Sequence, residues 1–389
     1  IRRVPLEQLC LSVKAMGITD VPTFLAGALT PPDTLAVEGA VDMLRRMGAL
    51  DGDTLTALGR HLSIIPADLR CGKLLVYGAT FGCLEACLTI ASILTMRSPF
   101  VSPQDKREQS KTARQSFGQG QGDLLADLRA YEAWSAMRSQ GAPYREQRAW
   151  CEQNFLSQNT LNDITSTRAQ YISSLKEIAF LPPSYHSADS SSSSGQQTPS
   201  SSSPSFNKHN ASAPLLRALI TASFTPQLLR IAFPTTKFAA SVSGAVALDP
   251  EARTIRYFAP DASRAFIHPS STLFDAHAFP NSAAFLSYFA KVATSKVFVR
   301  DLTPVGVYAV MLFSGPLEVD EQGRGVVVDG WVRIRGWARI GVLVGRLRGM
   351  LDRVLERAVD EPGGGGGGGR GEEVVDVVRR LVELDGLDR

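Results

Sequence analysis

Apolar residues change their spacing once along this chain, and that change limits what it can fold into. Between residues 66 and 181 they recur every three or four positions. Leu74, Leu75, Ala79, Leu84 and Leu88 lead into Ile90, Ile93 and Leu94, while Leu124, Leu128 and Tyr131 share one helical face. Between 211 and 337 short runs alternate instead, with Val297 and Val299 against Phe298 and Arg300, and Val332 and Ile334 against Arg333 and Arg335. A stretch in which eleven of nineteen residues are serine (Ser187–Ser205) separates the two regimes. Such a segment buries too little apolar surface to offset its ordering entropy, so it reads as a flexible insert.

The regimes define an order of parts. Leu6, Leu9 and Val13 mark a first helix, Val21–Leu29 a second, and Pro31-Pro32-Asp33 opens a third that runs to about Met47. Residues Ala49–Leu55 read as two short strands around Asp51-Gly52, so the plan is that of a winged helix. Its third helix sets Arg45 and Arg46 against Asp33, Glu38 and Asp42, a near-neutral balance that favours packing over DNA recognition. About five strands with helical pieces fit a small Greek-key barrel of the OB type, followed by an amphipathic helix from Ala338 to about Val359. Arg339, Arg346, Arg348 and Arg353 lie off the apolar stripe of that helix and read as a solvated face. The run Gly363–Gly369 then detaches a short acidic tail.

The expectation is a multidomain α+β protein. It consists of a winged helix (1–65), an all-α bundle (66–182), a Ser-rich disordered insert (183–210), an OB-like small β-barrel with a C-terminal helix (211–360), and a Gly-rich linker with acidic tail (361–389). A length of 389 residues with 44% apolar content accommodates two or three such cores.

Charge and motifs narrow the function. The net charge is +3, but residues 211–350 carry 15 basic against 9 acidic groups while residues 1–210 carry 20 against 19. Attraction for nucleic acid should therefore reside in the barrel region. Gly72-Lys73 is followed by Leu74 with no glycine to open a phosphate loop, Gly118, Gly120 and Gly122 miss the dinucleotide spacing, and neither HExxH nor GxSxG occurs. No catalytic residue, cofactor site or metal site is expected in this chain. Five cysteines without a CxxC pair fit buried core thiols in a reducing compartment, and no apolar run reaches membrane-spanning length. An intracellular protein, cytoplasmic or nuclear, is expected. The chain opens on Ile1-Arg2-Arg3 and reads as part of something longer. Arg168 intrudes on the apolar stripe of Leu161, Ile164, Tyr171 and Leu175, either as a bridge at a helix junction or as a ligand-facing cation. Trp134 and Trp150 read as core aromatics rather than stacking platforms.

In chain order, "PLEQLCLSVKAMG" (5–17), "PPDTLAVEGAVDMLRRMGALD" (31–51), "TALGRHLSIIPADLRCGKLL" (56–75), "RSPFVSPQDKR" (97–107), "GDLLADLRAYEAW" (122–134), "CEQNFLSQNTLNDI" (151–164), "IHPSS" (267–271) and "TSKVFVRDLTPV" (294–305), then "LFSGPL" and "DGWVRIRG", resemble the C-terminal half of the DEAH/RHA group of DEAH-box RNA helicases. The resemblance implies a winged helix, a helical helicase-associated or ratchet bundle and an OB-fold. These close a tunnel around single-stranded RNA against two RecA-like domains, whose ATP-driven movement carries RNA 3′ to 5′. ATP and Mg are expected in those RecA domains, whose motifs this chain lacks. Protein regulators are implied at the OB or winged-helix surface. Carried onto matching positions, the RNA-binding candidates are His268, Ser270 and Ser271 in the IHPSS turn, Thr294, Ser295, Lys296 and Arg300 in the next motif, and Arg97 before Ser98-Pro99-Phe100. Hydroxyls and cations on turns can hold phosphates without reading bases. His268 could equally cap its own turn, and Arg300 could pair with Asp301. A different class, a protein-docking module without useful RNA affinity, is supported by the near-neutral first 210 residues.

Overall fold

The computed structural model describes residues 6–185, 187, 204–234, 238–241, 244–247, 255–280, 283–320, 324–360 and 370–384. The expected Ser-rich insert lies mostly, and the Gly run wholly, outside the described residues.

The chain begins with α1 (Leu6–Ala15), α2 (Val21–Ala26) and α3 (Thr34–Arg46), then a two-stranded hairpin of β1 (Leu50–Asp51) and β2 (Thr54–Leu55), then α4 (Ala57–Ile64). Local chemistry sets these limits. The Asp20 carboxylate accepts from the Thr23 amide at 3.1 Å and from its hydroxyl at 2.6 Å, capping α2. The Thr56 hydroxyl accepts from the Gly59 amide at 3.0 Å and donates to the Gly48 carbonyl at 2.7 Å, which ties the start of α4 to the end of the preceding turn. On α3, Arg45 donates to Asp53 of the hairpin turn while remaining exposed, and Arg46 pairs with Asp329 far along the chain at 2.7 Å, so both charges are engaged within the fold.

A helical section follows: α5 (Leu69–Thr80), α6 (Leu84–Thr95), α7 (Arg107–Gly118), α8 (Asp123–Ser139), α9 (Tyr144–Gln153) and α10 (Gln158–Glu177). Arg168 is buried on α10, where its guanidinium pairs with Glu85 of α6 and donates to the Tyr131 hydroxyl of α8 at 2.9 Å. It is the helix-junction bridge, not a ligand-facing cation. Trp134 is fully buried, and Trp150 packs edge-on against Phe117.

After α11 (Pro204–Asn207) comes α12 (Ala213–Phe224), buried on every side from Leu215 to Phe224. A helix buried all round sits inside a core, even though this one carries Arg217, Thr221 and Ser223. The strands are β3 (Leu228–Ala232), β4 (Phe238–Ser241), β5 (Gly244–Ala247), β6 (Arg256–Phe258), β7 (Arg264–Ile267), β8 (Phe285–Ala293) and β9 (Val297–Val305). Five of them close a barrel in the order β3-β6-β7-β9-β8, while β4 and β5 form a separate hairpin. All barrel pairs are antiparallel except β7 with β9, which is parallel with Phe266 opposite Phe298 and Ile267 opposite Val299. Leu229, Ile231, Tyr257, Ile267, Leu286, Val299 and Leu302 fill the barrel. Val299 and Leu302 are three apart yet both face inward, because Asp301 between them takes a left-handed conformation with φ 57° and reverses the alternation.

The chain ends with α13 (Val307–Phe313), β10 (Leu317–Val319), β11 (Gly325–Val328), β12 (Val332–Arg335), α14 (Ala338–Asp360) and α15 (Arg370–Leu384). Three sequence expectations change here. The Val332–Arg335 strand belongs to a three-stranded meander, β10-β11-β12, and not to the barrel, because its alternation specifies a one-sided strand without naming the sheet. Arg348 is not on a solvated face. It donates from Nε, Nη1 and Nη2 at 2.7 Å each to the Met311, Gly315 and Ser314 carbonyls, closing the end of α13. The acidic tail is not detached either. Val374, Val378 and Val382 of α15 are buried in the main core, and the Ser212 hydroxyl before α12 donates to Glu383 at 2.7 Å. Valines at every fourth position, each worth about 1.5–3 kcal/mol when buried, dock the helix despite its charge.

One core runs from Cys10 through α5, α6 and α12 to Val382, with the barrel interior and a cluster around Trp134 as separate cores. All five cysteines are buried, and burial pushes the Cys71 thiol up to about 12 and Cys10 to about 11. Among the described residues, no helix is long and apolar enough to cross a membrane.

Candidate nucleic-acid interface

The outer face of the barrel carries the candidate site. On β7, Ala265 and Ile267 point inward, so Arg264 and Phe266 face out, with His268 following at the strand end. On β9, Val299 is inward and Phe298 and Arg300 are outward, with Lys296 preceding them on the turn from β8. Parallel pairing of β7 with β9 brings the two sets together. The Phe266 and Phe298 rings lie 6.1 Å apart, and His268 stands edge-on to Phe298 at 6.0 Å. Arg264 lies 4.8 Å and Lys296 4.9 Å from the Phe266 ring centre. Around the barrel, Arg230 of β3 sits 5.6 Å from the Phe258 ring of β6, and Phe258 pairs across strands with Arg264. The result is an alternating row of cations and half-buried rings over β3, β6, β7 and β9. Among the described residues no carboxylate forms an ion pair with Arg230, Arg264, Lys296 or Arg300, so Arg300 is not bridged to Asp301. Burial and the neighbouring Arg300 charge lower the His268 pKa, so that imidazole is neutral at pH 7.

The helical section holds the turn next to this row. Asp123, at the first turn of α8, is 1% exposed. Its carboxylate takes the Ser271 hydroxyl at 2.8 Å, the Thr272 amide at 2.7 Å, the Thr272 hydroxyl at 2.9 Å and the Leu302 amide at 2.9 Å. Gly122 makes the approach possible: its φ is +110°, and a Cβ there would lie 2.5 Å from the Leu302 carbonyl oxygen. Arg114 of α7 donates to both oxygens of buried Asp127 at 3.1 and 3.2 Å and to the Ser270 carbonyl at 3.0 Å. Lys111 pairs with Asp275. Burial raises the Asp127 carboxyl to about 6 even beside Arg114.

The sequence candidates therefore separate. Lys296 and Arg300 belong to the row, and His268 flanks it. The His268 Nδ1 is 2.8 Å from the Ser270 hydroxyl and accepts from the Ser270 amide at 3.2 Å, so the pair also shapes its own turn. Ser271 is 2% exposed, and its hydroxyl donates to Asp123 at 2.8 Å. Thr294 donates to the Lys296 carbonyl at 3.1 Å and shapes the exposed β8–β9 turn that also carries Ser295. Arg97 is exposed in the loop after α6. Sequence reasoning missed Arg264, Phe266, Phe298, Arg230 and Phe258. The alternation of "RAFIH" (264–268) with "KVFVR" (296–300), two period-two strings of cation and ring, was the signal that could have found them.

Three family models match. They are a ratchet-like helicase associated domain over residues 68–158, an oligonucleotide/oligosaccharide-binding fold over 216–317, and a C-terminal domain in RNA helicases over 324–384. A Mycosarcoma maydis protein named as a DEAH-box ATP-dependent helicase is 39% identical over 99% of this chain and 25% of its own length. A DExH-box ATP-dependent RNA helicase of Arabidopsis thaliana is 32% identical over 98% of this chain and 34% of its own. An ATP-dependent RNA helicase of Xenopus laevis is 31% identical over 99% of this chain and 26% of its own. The chain thus spans about a quarter to a third of the length of these relatives.

Proposed function

Because this chain belongs to the C-terminal region of the DEAH-box ATP-dependent RNA helicases, we propose that it grips single-stranded RNA on the outer face of its barrel and restrains a RecA ATPase core. The single observation that carries the reading is the alternating row of Arg230, Phe258, Arg264, Phe266, Lys296, Phe298 and Arg300. Rings offer faces to bases of any identity, and cations between them meet phosphates, which is the combination a sequence-tolerant single-strand groove requires. A duplex would shield its base faces and could use only the cations. On this reading ATP and Mg2+ bind the RecA domains, 3′-to-5′ movement is driven there, and this chain supplies grip. The α1–α3 helices with the β1–β2 hairpin serve as a winged helix whose third helix packs, in keeping with the Arg46–Asp329 pair.

Fluorescence anisotropy of labelled oligo(U) with the whole chain tests the proposal. Binding should favour single strands over duplex and weaken with salt. Replacing Lys296 and Arg300 together by alanine should flatten the log–log salt slope by about 1.4, at about 0.7 per phosphate contact. Equal affinity for duplex and single strand, or an unchanged slope, would refute the placement.

A further inference from the structure

Helix α14 has a second face that the fold leaves uncovered. Val344, Leu351 and Leu355 are buried, on the side that meets α4, α13 and β10. At 100° per residue, Arg339, Arg346 and Arg353 recur at seven-residue intervals on the opposite side and Arg357 follows one turn later, all exposed. Four arginines thus span about 27 Å of helix. Between them lie Leu343 at 63%, Val342 at 47% and Met350 at 46% exposure, and Trp337, just before the helix, is 76% exposed. Among the described residues no carboxylate forms an ion pair with these four arginines. Two acids of α14 turn elsewhere: Asp352 lies near Lys73 and Arg348, and Glu356 is 4.0 Å from Arg60. Single exposed apolar residues are ordinary, but a contiguous stripe of them marks an interaction surface.

We propose that this face docks an acidic amphipathic helix of a partner protein. Leu343, Met350 and Trp337 would bury against the apolar stripe of that helix, and Arg339, Arg346, Arg353 and Arg357 would meet carboxylates spaced along its flanks. The surface is unlike the barrel face. There Arg230, Arg264 and Lys296 each lie over a ring, whereas here Val342, Leu343 and Met350 separate the four arginines and Trp337 stands at one end before the helix, so the surface between the charges is mainly aliphatic and gains little from a phosphate chain. Helix α15 already packs beside α14 at its C-terminal half, where Gly371 approaches Val354, but it does so through its buried valines, with Asp376 paired to its own Arg379 and Arg380, and so leaves the four arginines of α14 unmet. The inference does not depend on the RNA reading, since it uses different residues on a different element.

The test uses the whole chain and a labelled synthetic peptide of about 20 residues with leucines at helical spacing and glutamates beside them, against a scrambled peptide of equal composition. The ordered peptide should bind at least about tenfold tighter than the scramble, with affinity falling as salt rises. Leu343→Ser with Met350→Ser should cost at least about fivefold, and Arg346→Glu with Arg353→Glu should abolish the salt dependence, while thermal unfolding stays unchanged because all four side chains are exposed. No binding of the ordered peptide, equal binding of the scramble, or wild-type affinity in both double variants would overturn the proposal. So would oligo(U) or phosphatidylserine vesicles displacing the peptide and losing affinity in the same variants, which would assign the face to RNA or lipid.

Discussion

Removing the Asp123 carboxylate should release the IHPSS turn from the helical section. In Asp123→Ala, four donors lose their acceptor: the Ser271 and Thr272 hydroxyls and the Thr272 and Leu302 amides. The hydroxyls can rotate towards other oxygens, but the two amides are fixed by the backbone and stay buried. A buried donor left unpaired costs about 1–3 kcal/mol, so the pair predicts a loss of about 2–4 kcal/mol after partial relaxation. The loss should be local first, because the contact joins α8 to the barrel across 148 to 179 residues of sequence. Hydrogen exchange read by mass spectrometry should show peptides covering 267–275 and 299–305 opening roughly 30- to 700-fold faster, with the Trp134 cluster unchanged. Asp123→Asn should fall between, since one oxygen remains to accept. Exchange within about threefold of wild type in Asp123→Ala would refute the reasoning that this carboxylate pins the turn.

Further tests address other parts of the fold. Burial holds His61 at about 4, below its ordinary value. Its neutral form is the folded one, so its contribution is complete above about pH 6.5 and is lost as pH falls towards 4, by up to about 3 kcal/mol. Urea titrations at pH 7 and 5 should show about 2 kcal/mol of that loss, and His61→Leu should reduce the difference between them. Val378→Asp places a charge at a fully buried position of α15 and should lower urea stability by at least about 3 kcal/mol, whereas an undocked tail would show no change. Arg168→Met and Glu85→Leu should each destabilise by about 3 kcal/mol or more, and the double variant by clearly less than their sum; additive losses would deny that the pair bridges α6 and α10.

Much of this architecture was legible because it is written in local spacing. The switch from helical to alternating periodicity located the barrel, and the excess of cations between 211 and 350 pointed to the region that carries the candidate row. What stayed hidden depends on partners distant in sequence. Nothing local distinguishes Ser270, which faces out, from Ser271, which Asp123 takes inward from 148 residues away. Arg348 reads as solvated because it is charged, yet it falls one turn after buried Val344 and three carbonyls at the end of α13 take its guanidinium. The Gly run hid α15, since a flexible linker says nothing about whether the helix beyond it finds a core. Phe266 and Phe298 were legible in principle, but ring and cation strings on two strands acquire meaning only once parallel pairing sets them side by side.

RNA is proposed to lie along the barrel face of β7 and β9. Photo-crosslinking of 4-thiouridine-labelled oligo(U) to the whole chain, with adducts mapped by mass spectrometry, tests it most directly. Adducts are expected at Phe266, His268 and Phe298, and should be lost when Phe266 and Phe298 are both replaced by alanine. Adducts confined to residues outside 230–300, or an unchanged map in the double variant, would contradict it.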